Sequence, residues 1–444
     1  MKNVEKLHEK VQDAIEMSLS SEHPIYGMAI HEKEDDPQRR VVYLGKNRDY
    51  TPVKVHFCSG KVDYGSWEEW EWLKGNRPVM CGWDGRIDYE LDPSDYSKRA
   101  DNGEKSDVCS ISYEGNAMAV IPKIYTCSYM REGKRYVYFC DIPATEEFCP
   151  IGFRVRGSER KYMLIPMFYG AKDEKGRLRS IGGTWSAGTI TGRASQNRDG
   201  RDMDTAAQFE ALQKTNPEGL FFGGALVNVL TDIAVMLAKS TDTQASYGYG
   251  MTASFTSDED ISGHWGTEAN PLLNSRFCGG DNGHTYTNMF HSLVPGSGML
   301  WQRDPYMLLV YGKLKVSPEY IFDLSGEMYL DTGCVLDKGG FYSATDVVSS
   351  FGFVPSPDKE GADSTGYCDY IYANPEVISV ASRFGCSRSG KKAGLFARSM
   401  NHSGFNRDNI CEKECAIGEA EELDESFSWW WNFGCSLMMP GSIG

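Results

Sequence analysis

No stretch of this sequence approaches the ~18 consecutive apolar residues that a membrane-crossing helix requires, so no membrane insertion is expected. The first residues, MKNVEKLHEKVQDAIEMSLS, are charged and amphipathic rather than a short apolar leader, so the sequence reads as lacking a signal peptide and as made in a cytoplasm. Histidine is scarce at 8 residues, and no GxSxG elbow, HExxH helix, P-loop or Rossmann fingerprint occurs. Positive charge is also short: 46 Lys and Arg stand against 62 Asp and Glu, a net charge of −16, which disfavours a phosphate backbone as partner. The few basic clusters, Arg193 with Arg198 and Arg201, and Arg388 with Lys391 and Lys392, are small. Even, dense cysteine spacing is missing too: the 13 Cys are odd in number and scattered, as expected for free thiols in a reducing compartment. Cys411 and Cys415 stand in CxxxC spacing, but His402, Cys386 and Cys435 complete no known zinc pattern, so no metal is expected.

What the chain does have is 47 Gly, 24 Tyr and 10 Trp, a composition of short strands and shaped loops around a real core. Val4, Leu7, Val11, Ile15 and Leu19 form one apolar stripe at steps of three and four, predicting a helix over 1–20. Such a stripe either packs on its own domain or serves assembly and oligomerisation between copies. Residues 21–110 read as a small β-rich region, in which GSWEEWEW at 65–72 is either a short helix or an exposed aromatic surface. The runs MAVIPKIY, KRYVYFCDI, FRVRG and KYMLIPMFYG within 118–170 alternate as strands and suggest a meander. Two helices are predicted, Thr205–Lys214 and Leu220–Lys239, separated by the turn Asn216-Pro217-Glu218-Gly219; the second is apolar nearly all round and should be buried.

After residue 245 the chain returns to short strands and Gly-rich loops. The segment Ser382–Asn409 mixes Ser, Asn, Arg, Gly and aromatics, the composition of a recognition surface. Trp429-Trp430-Trp431 follows; three consecutive Trp on a strand cannot all point inward, so at least one is a natural anchor. His264, His284, His291 and His402 are the histidines open to a functional role, with a structural role the simpler reading of each.

Phe384-Gly385-Cys386-Ser387, then Gly394-Leu395-Phe396-Ala397-Arg398, Asn401 and Asn432-Phe433-Gly434-Cys435-Ser436-Leu437, resembles the closing segment of formylglycine-generating-enzyme-like C-type-lectin folds, with Cys411–Ser428 as an insertion. Upstream, MAVIPK at 118–123, Tyr136–Ile142, Gly152-Phe153 with Lys161–Gly170, Leu178–Gly183, Arg193–Arg198, Ser246–Gly250 and Pro78–Tyr89 resemble phage tail and receptor-binding proteins, some of them variable proteins of diversity-generating retroelements. The resemblance implies an α+β chain: an N-terminal helix (1–20), a β-rich attachment domain (21–110) and a C-type-lectin-like ligand-binding domain (111–444) with two helices and short irregular strands. It implies a virion tail-tip protein that binds a bacterial surface glycan or protein, sits among other tail proteins and forms a homo-oligomer, a trimer by analogy. The implied contact set is Ser387, Arg388, Ser389, Lys391, Arg398, Asn401, His402, Ser403, Phe405, Asn406, Arg407, Asn409, Trp429, Trp430 and Trp431. Arg398, in a stretch that threads the core of such folds, is equally open to a structural role.

The enzymatic relatives bind copper through a cysteine pair that has no counterpart in Ser387–Leu395, and Trp431-Asn432-Phe433 lacks the carboxylate of calcium-dependent sugar sites. The expectation is therefore a binding protein without cofactor or catalytic residues. The alternatives are a structural virion subunit or, further off, an oxidase of the formylglycine-generating type.

Overall fold

The computed structural model describes residues 2–57, 61–182, 205–252, 272–279, 286–296, 298, 301–386, 389–401 and 437–442. Among the described residues the fold is mixed α+β: five α-helices, three larger sheets that are antiparallel but for one parallel strand pair, and four two-stranded pairs. The helices are α1 (Lys2–Ser18), α2 (Glu71–Gly75), α3 (Thr205–Thr215), α4 (Gly224–Ala238) and α5 (Thr243–Tyr247).

The N-terminal sheet has the order Val41–Gly45, Tyr26–His31, Lys134–Cys140, Tyr125–Arg131. The central sheet runs Leu220–Phe221, Leu437–Pro440, Tyr162–Pro166, Gly115–Pro122, Arg77–Gly82, Ile87–Asp92, Asp95–Arg99. The C-terminal sheet runs Leu330–Val335, Lys313–Val316, Gln302–Val310, Ile378–Phe384, Gly394–Met400, Tyr370–Ala373, Gly340–Val348, Gly352–Glu360. Its two edges curl toward each other, and the Cys334 thiol donates to the Pro355 carbonyl at 3.0 Å.

The expected meander over 118–170 is divided between two sheets. Gly115–Pro122 and Tyr162–Pro166 pair in the central sheet, whereas Tyr125–Arg131 and Lys134–Cys140 form a hairpin in the N-terminal one. The chain changes sheets after Pro122, which has no N–H to continue a ladder. The hairpin turns through Glu132 (φ 52°) and Gly133 (φ 73°), the paired left-handed conformation that lets a two-residue loop follow the strand twist.

No boundary falls at residue 110. Tyr26–His31 pairs with Lys134–Cys140, and Arg77–Gly82 pairs with Gly115–Pro122 in unbroken register. Leu437–Pro440, at the far end of the chain, lies between Tyr162–Pro166 and Leu220–Phe221. The expected 21–110 and 111–444 units therefore share sheets and one continuous apolar core.

A fully buried ionic network joins the same parts. Arg135 grips Asp232 of α4 with two bonds at 2.7 and 2.8 Å. Arg40 donates to Glu32 at 2.8 Å, and Glu32 accepts from the hydroxyls of Thr345 in the C-terminal sheet (2.6 Å) and of Tyr367 in the turn before Tyr370–Ala373 (2.7 Å).

α1 docks on the N-terminal sheet. Val11 and Ile15 are buried among Ala29, Tyr129, Tyr136 and Tyr138, with Val4 and Leu7 partly covered. Lys10 pairs with Glu146 and Glu147, and Arg131 with Glu5. Most of the stripe packs within the molecule, the first of the two readings that its pattern allows, while Leu19 stays exposed. GSWEEWEW is likewise internal: Trp67, Trp70 and Trp72 are buried, and the indole N–H groups of Trp67 and Trp72 donate to Thr51 O and Pro122 O.

α4 begins four residues later than its apolar run suggested, because Leu220–Phe221 is used as a strand. Its first turn is capped from outside. The Asp304 carboxylate accepts from Gly224 N at 2.9 Å and from Arg383 Nε, placing negative charge at the helix N-terminus. Every residue of α4 is buried.

Candidate functional site

Of the contact set, Ser389, Lys391, Arg398 and Asn401 lie among the described residues. Ser387, Arg388, His402, Ser403, Phe405, Asn406, Arg407, Asn409, Trp429, Trp430 and Trp431 lie outside them.

Strands Ile378–Phe384 and Gly394–Met400 pair antiparallel and are joined by a tight connection that carries the turn Gly390–Lys392. Gly385 (φ 92°) lets the chain leave the first strand, where a Cβ would strike Ala393. Ser389 then closes the turn: its Oγ accepts from Cys386 N at 2.9 Å. That use and its burial make Ser389 a builder of the turn rather than a ligand contact. The turn is docked on the α5 region, Gly390 N donating to Thr252 O at 2.7 Å and Gln244 Nε2 to Gly390 O at 3.1 Å. The cavity between them is about 20 Å³, room for a water rather than a ligand.

Outside this turn the surface is polar and aromatic. Lys391 is exposed and pairs with Asp363 at 3.1 Å, a carboxylate that raises the pKa of its ammonium. Lys392 holds its Nζ 5.0 Å above the ring of Tyr370 and 5.9 Å from that of Tyr372. The two tyrosine rings are 4.6 Å apart, Phe341 meets Tyr370 edge-on at 5.1 Å, and Trp301 backs Tyr372 at 6.1 Å. Trp301 and Tyr372, with Ala397 and Cys386, form a small buried cluster separate from the main core, and Tyr370 packs against it. Period-two alternation explains it: Tyr370 and Tyr372 share one face of their strand, while Ile371 turns into the core. Tyr370 and Lys392 are half-buried, which leaves ring and ammonium available to a partner. Asn401 continues this edge at the end of its strand, half-buried, its Oδ1 accepting from Ser399 Oγ at 3.1 Å.

Arg398 is not part of this surface, which corrects the expectation that it contacts a ligand. Its side chain is fully buried, and Nη1 donates to Leu395 O and Ala397 O, both at 2.9 Å. Burial, followed by the neighbouring Arg383, lowers its pKa to about 9. The period-two alternation that puts Tyr370 and Tyr372 on one face of their strand places Arg398, the register partner of Ile371, on the opposite face, over the core. Nearby, the Asp369 carboxylate accepts from Phe396 N at 2.8 Å, and its burial raises its pKa well above the carboxylate range. A Cβ at Gly394 (φ 141°) would overlap Asp369, so only glycine fits there.

The sequence reading missed Phe341, Tyr370, Tyr372 and Lys392. The signal was Tyr370-Ile371-Tyr372, an alternating pair whose partner strand no local pattern names. Among the described residues no three His, Cys, Asp or Glu side chains converge as metal ligands would. His291 is buried against Tyr96, its Nδ1 2.5 Å from the hydroxyl, and desolvation lowers its pKa far below the ordinary value. His264, His284 and His402 lie outside the described residues. No family model matches the chain, and no curated protein matches it.

Proposed function

We propose that this chain is an attachment protein of a phage or prophage tail tip, binding a bacterial surface glycan or protein through a C-type-lectin-like C-terminal face, and that it is not an enzyme. The observation that carries this reading is the surface made by Lys392, Tyr370 and Phe341, backed by the buried Tyr372, beside the turn Gly390–Lys392. It adjoins the strands that hold the Phe384-Gly385-Cys386 and Gly394–Arg398 motifs. An aromatic face with a cation at its rim suits a sugar ring or an acidic-apolar protein patch. The face is open rather than a deep pocket, so single contacts are weak and several copies are needed for avidity. A homotrimer carried on the virion among other tail proteins meets that need, without cofactor or metal.

The test is retention of the purified protein by intact bacterial cells. Wild type is compared with Tyr370→Ala/Lys392→Ala and with Trp430→Ala/Asn406→Ala/Arg407→Ala, folding being checked by circular dichroism. Loss of an aromatic anchor with its flanking cation is expected to weaken retention by at least about tenfold with the spectrum unchanged. Retention unchanged in both variants would move the contact elsewhere and favour a structural virion subunit.

A further inference from the structure

A cleft of about 360 Å³ opens where the N-terminal sheet meets the loops at Pro318–Glu319 and Ser349–Ser350. Its inner wall is Tyr125–Arg131, the edge strand of that sheet. Leu7 of α1 and Cys127 line the cleft from one face of the strand, and Thr126 and Ser128 from the other, so the cleft encloses the strand edge itself.

That edge is only partly used. Thr126 exchanges both backbone hydrogen bonds with Cys149, N to O at 2.8 Å and O to N at 3.1 Å. Its N–H and C=O therefore point away from Lys134–Cys140. In an antiparallel ladder this outward direction recurs every second residue, which places the N–H and C=O of Ser128 and Met130 on the same side. The bridge to Cys149 stops after one residue. The chain before it turns through Thr145–Phe148, and Glu147 is held by Lys10 at 2.9 Å, so among the described residues no strand continues beside Ser128. The hydroxyls of Thr126 and Ser128 are shut from water and have no partner, and Thr126 is only 5% exposed. The open ladder in the cleft is what an incoming strand would complete, through the outward backbone groups of Ser128 and Met130.

We propose that this cleft docks an extended peptide segment of a partner protein, which adds to Tyr125–Arg131 as a fifth strand and bonds to Ser128 and Met130. The segment is basic. Glu147 and Glu319 line the cleft, and Glu5, Glu132 and Glu146 flank it, against Lys10, Arg131 and Arg154. Lys10 is shared by Glu146 and Glu147, and Arg131 by Glu5 and Glu132, so each cluster keeps one negative charge in excess. No aromatic ring lines the cleft, so main-chain bonding rather than stacking holds the occupant. The argument for this site uses none of the aromatic residues of the C-terminal sheet, so it stands independently of the attachment reading.

The probe is the capped peptide Ac-Thr-Lys-Val-Lys-Val-Lys-Thr-NH2, titrated calorimetrically into the full chain. Two analogues with the same side chains are N-methylated on one or the other alternate set of amides, blocking one strand edge each. The expected result is binding of the parent peptide, with slowed hydrogen exchange at the Ser128 and Met130 amides. One methylated analogue should bind at least about tenfold more weakly, and so should the parent peptide on Ser128→Pro, an outward edge position where proline is tolerated. Equal binding of all three peptides would mean charge alone. That result, protection elsewhere, or no binding of the parent peptide would each overturn the proposal.

Discussion

Single residues here owe their roles to burial more than to chemical type. His291 is one of 8 histidines and reads in the sequence as open to function, yet it is enclosed against Tyr96. Its folded pKa lies well below the ordinary 6.5, with desolvation as the first cause and Arg276 as the second. The unfolded chain therefore takes up a proton near pH 6.5 while the folded one does not, so stability present above that pH is lost as pH falls. Between pH 6.5 and 5.5 wild type is expected to lose about 1 kcal/mol more than His291→Gln, measured by urea unfolding at both pH values. An equal loss in both proteins would mean that His291 titrates normally. Arg398 makes the same point in the other direction. Its sequence context offered both a ligand contact and a core role, and its position on the inner face of Gly394–Met400 decides for the core.

At the scale of elements, helices were legible where their period was complete. The stripe from Val4 to Ile15, the first helix from Thr205 and the apolar α4 all follow from spacing alone. What the stripe of α1 packs against was not legible, because one apolar face fits an intramolecular sheet as well as a second copy. The structure places it on Ala29, Tyr129, Tyr136 and Tyr138. Ile15→Ala should therefore cost about 2–5 kcal/mol in the stability of that layer. The amides of α1 should exchange faster with deuterium while the mass of the assembly, measured by light scattering, stays constant. A drop in mass would return α1 to an assembly role. The strands were less legible: the run over 118–170 alternates correctly, but nothing in it shows that its hairpin leaves the central sheet after Pro122.

For the whole molecule, interleaved strands and the Glu32–Arg40–Arg135–Asp232 network make the parts before and after residue 110 one cooperative unit. Asp232→Asn leaves the Arg135 guanidinium buried with a neutral partner, a change expected to cost about 3–5 kcal/mol. Tryptophan fluorescence, to which the buried Trp67, Trp70 and Trp72 contribute, and far-ultraviolet circular dichroism should report the same shifted midpoint. Two separate midpoints would mean that the regions joined by this network unfold independently.

The sequence by itself determined what is local: the helices and their faces, the proline and glycine breaks, the acidic surface, the absence of familiar catalytic motifs, and an α+β class. Only the tertiary structure decided which strands are neighbours, and so which side chains are sealed or shown. A period-two pattern states that a strand has two faces but not which partner covers either one. Glu32, Arg40, Arg135 and Asp232, charged residues that local pattern would leave in solvent, bond together in the core. Tyr370 and Lys392 meet at the surface, over the buried Tyr372, because Tyr370–Ala373 lies parallel to Gly394–Met400. Those contacts join residues from distant parts of the chain, and long-range pairing is the information that local periodicity does not carry.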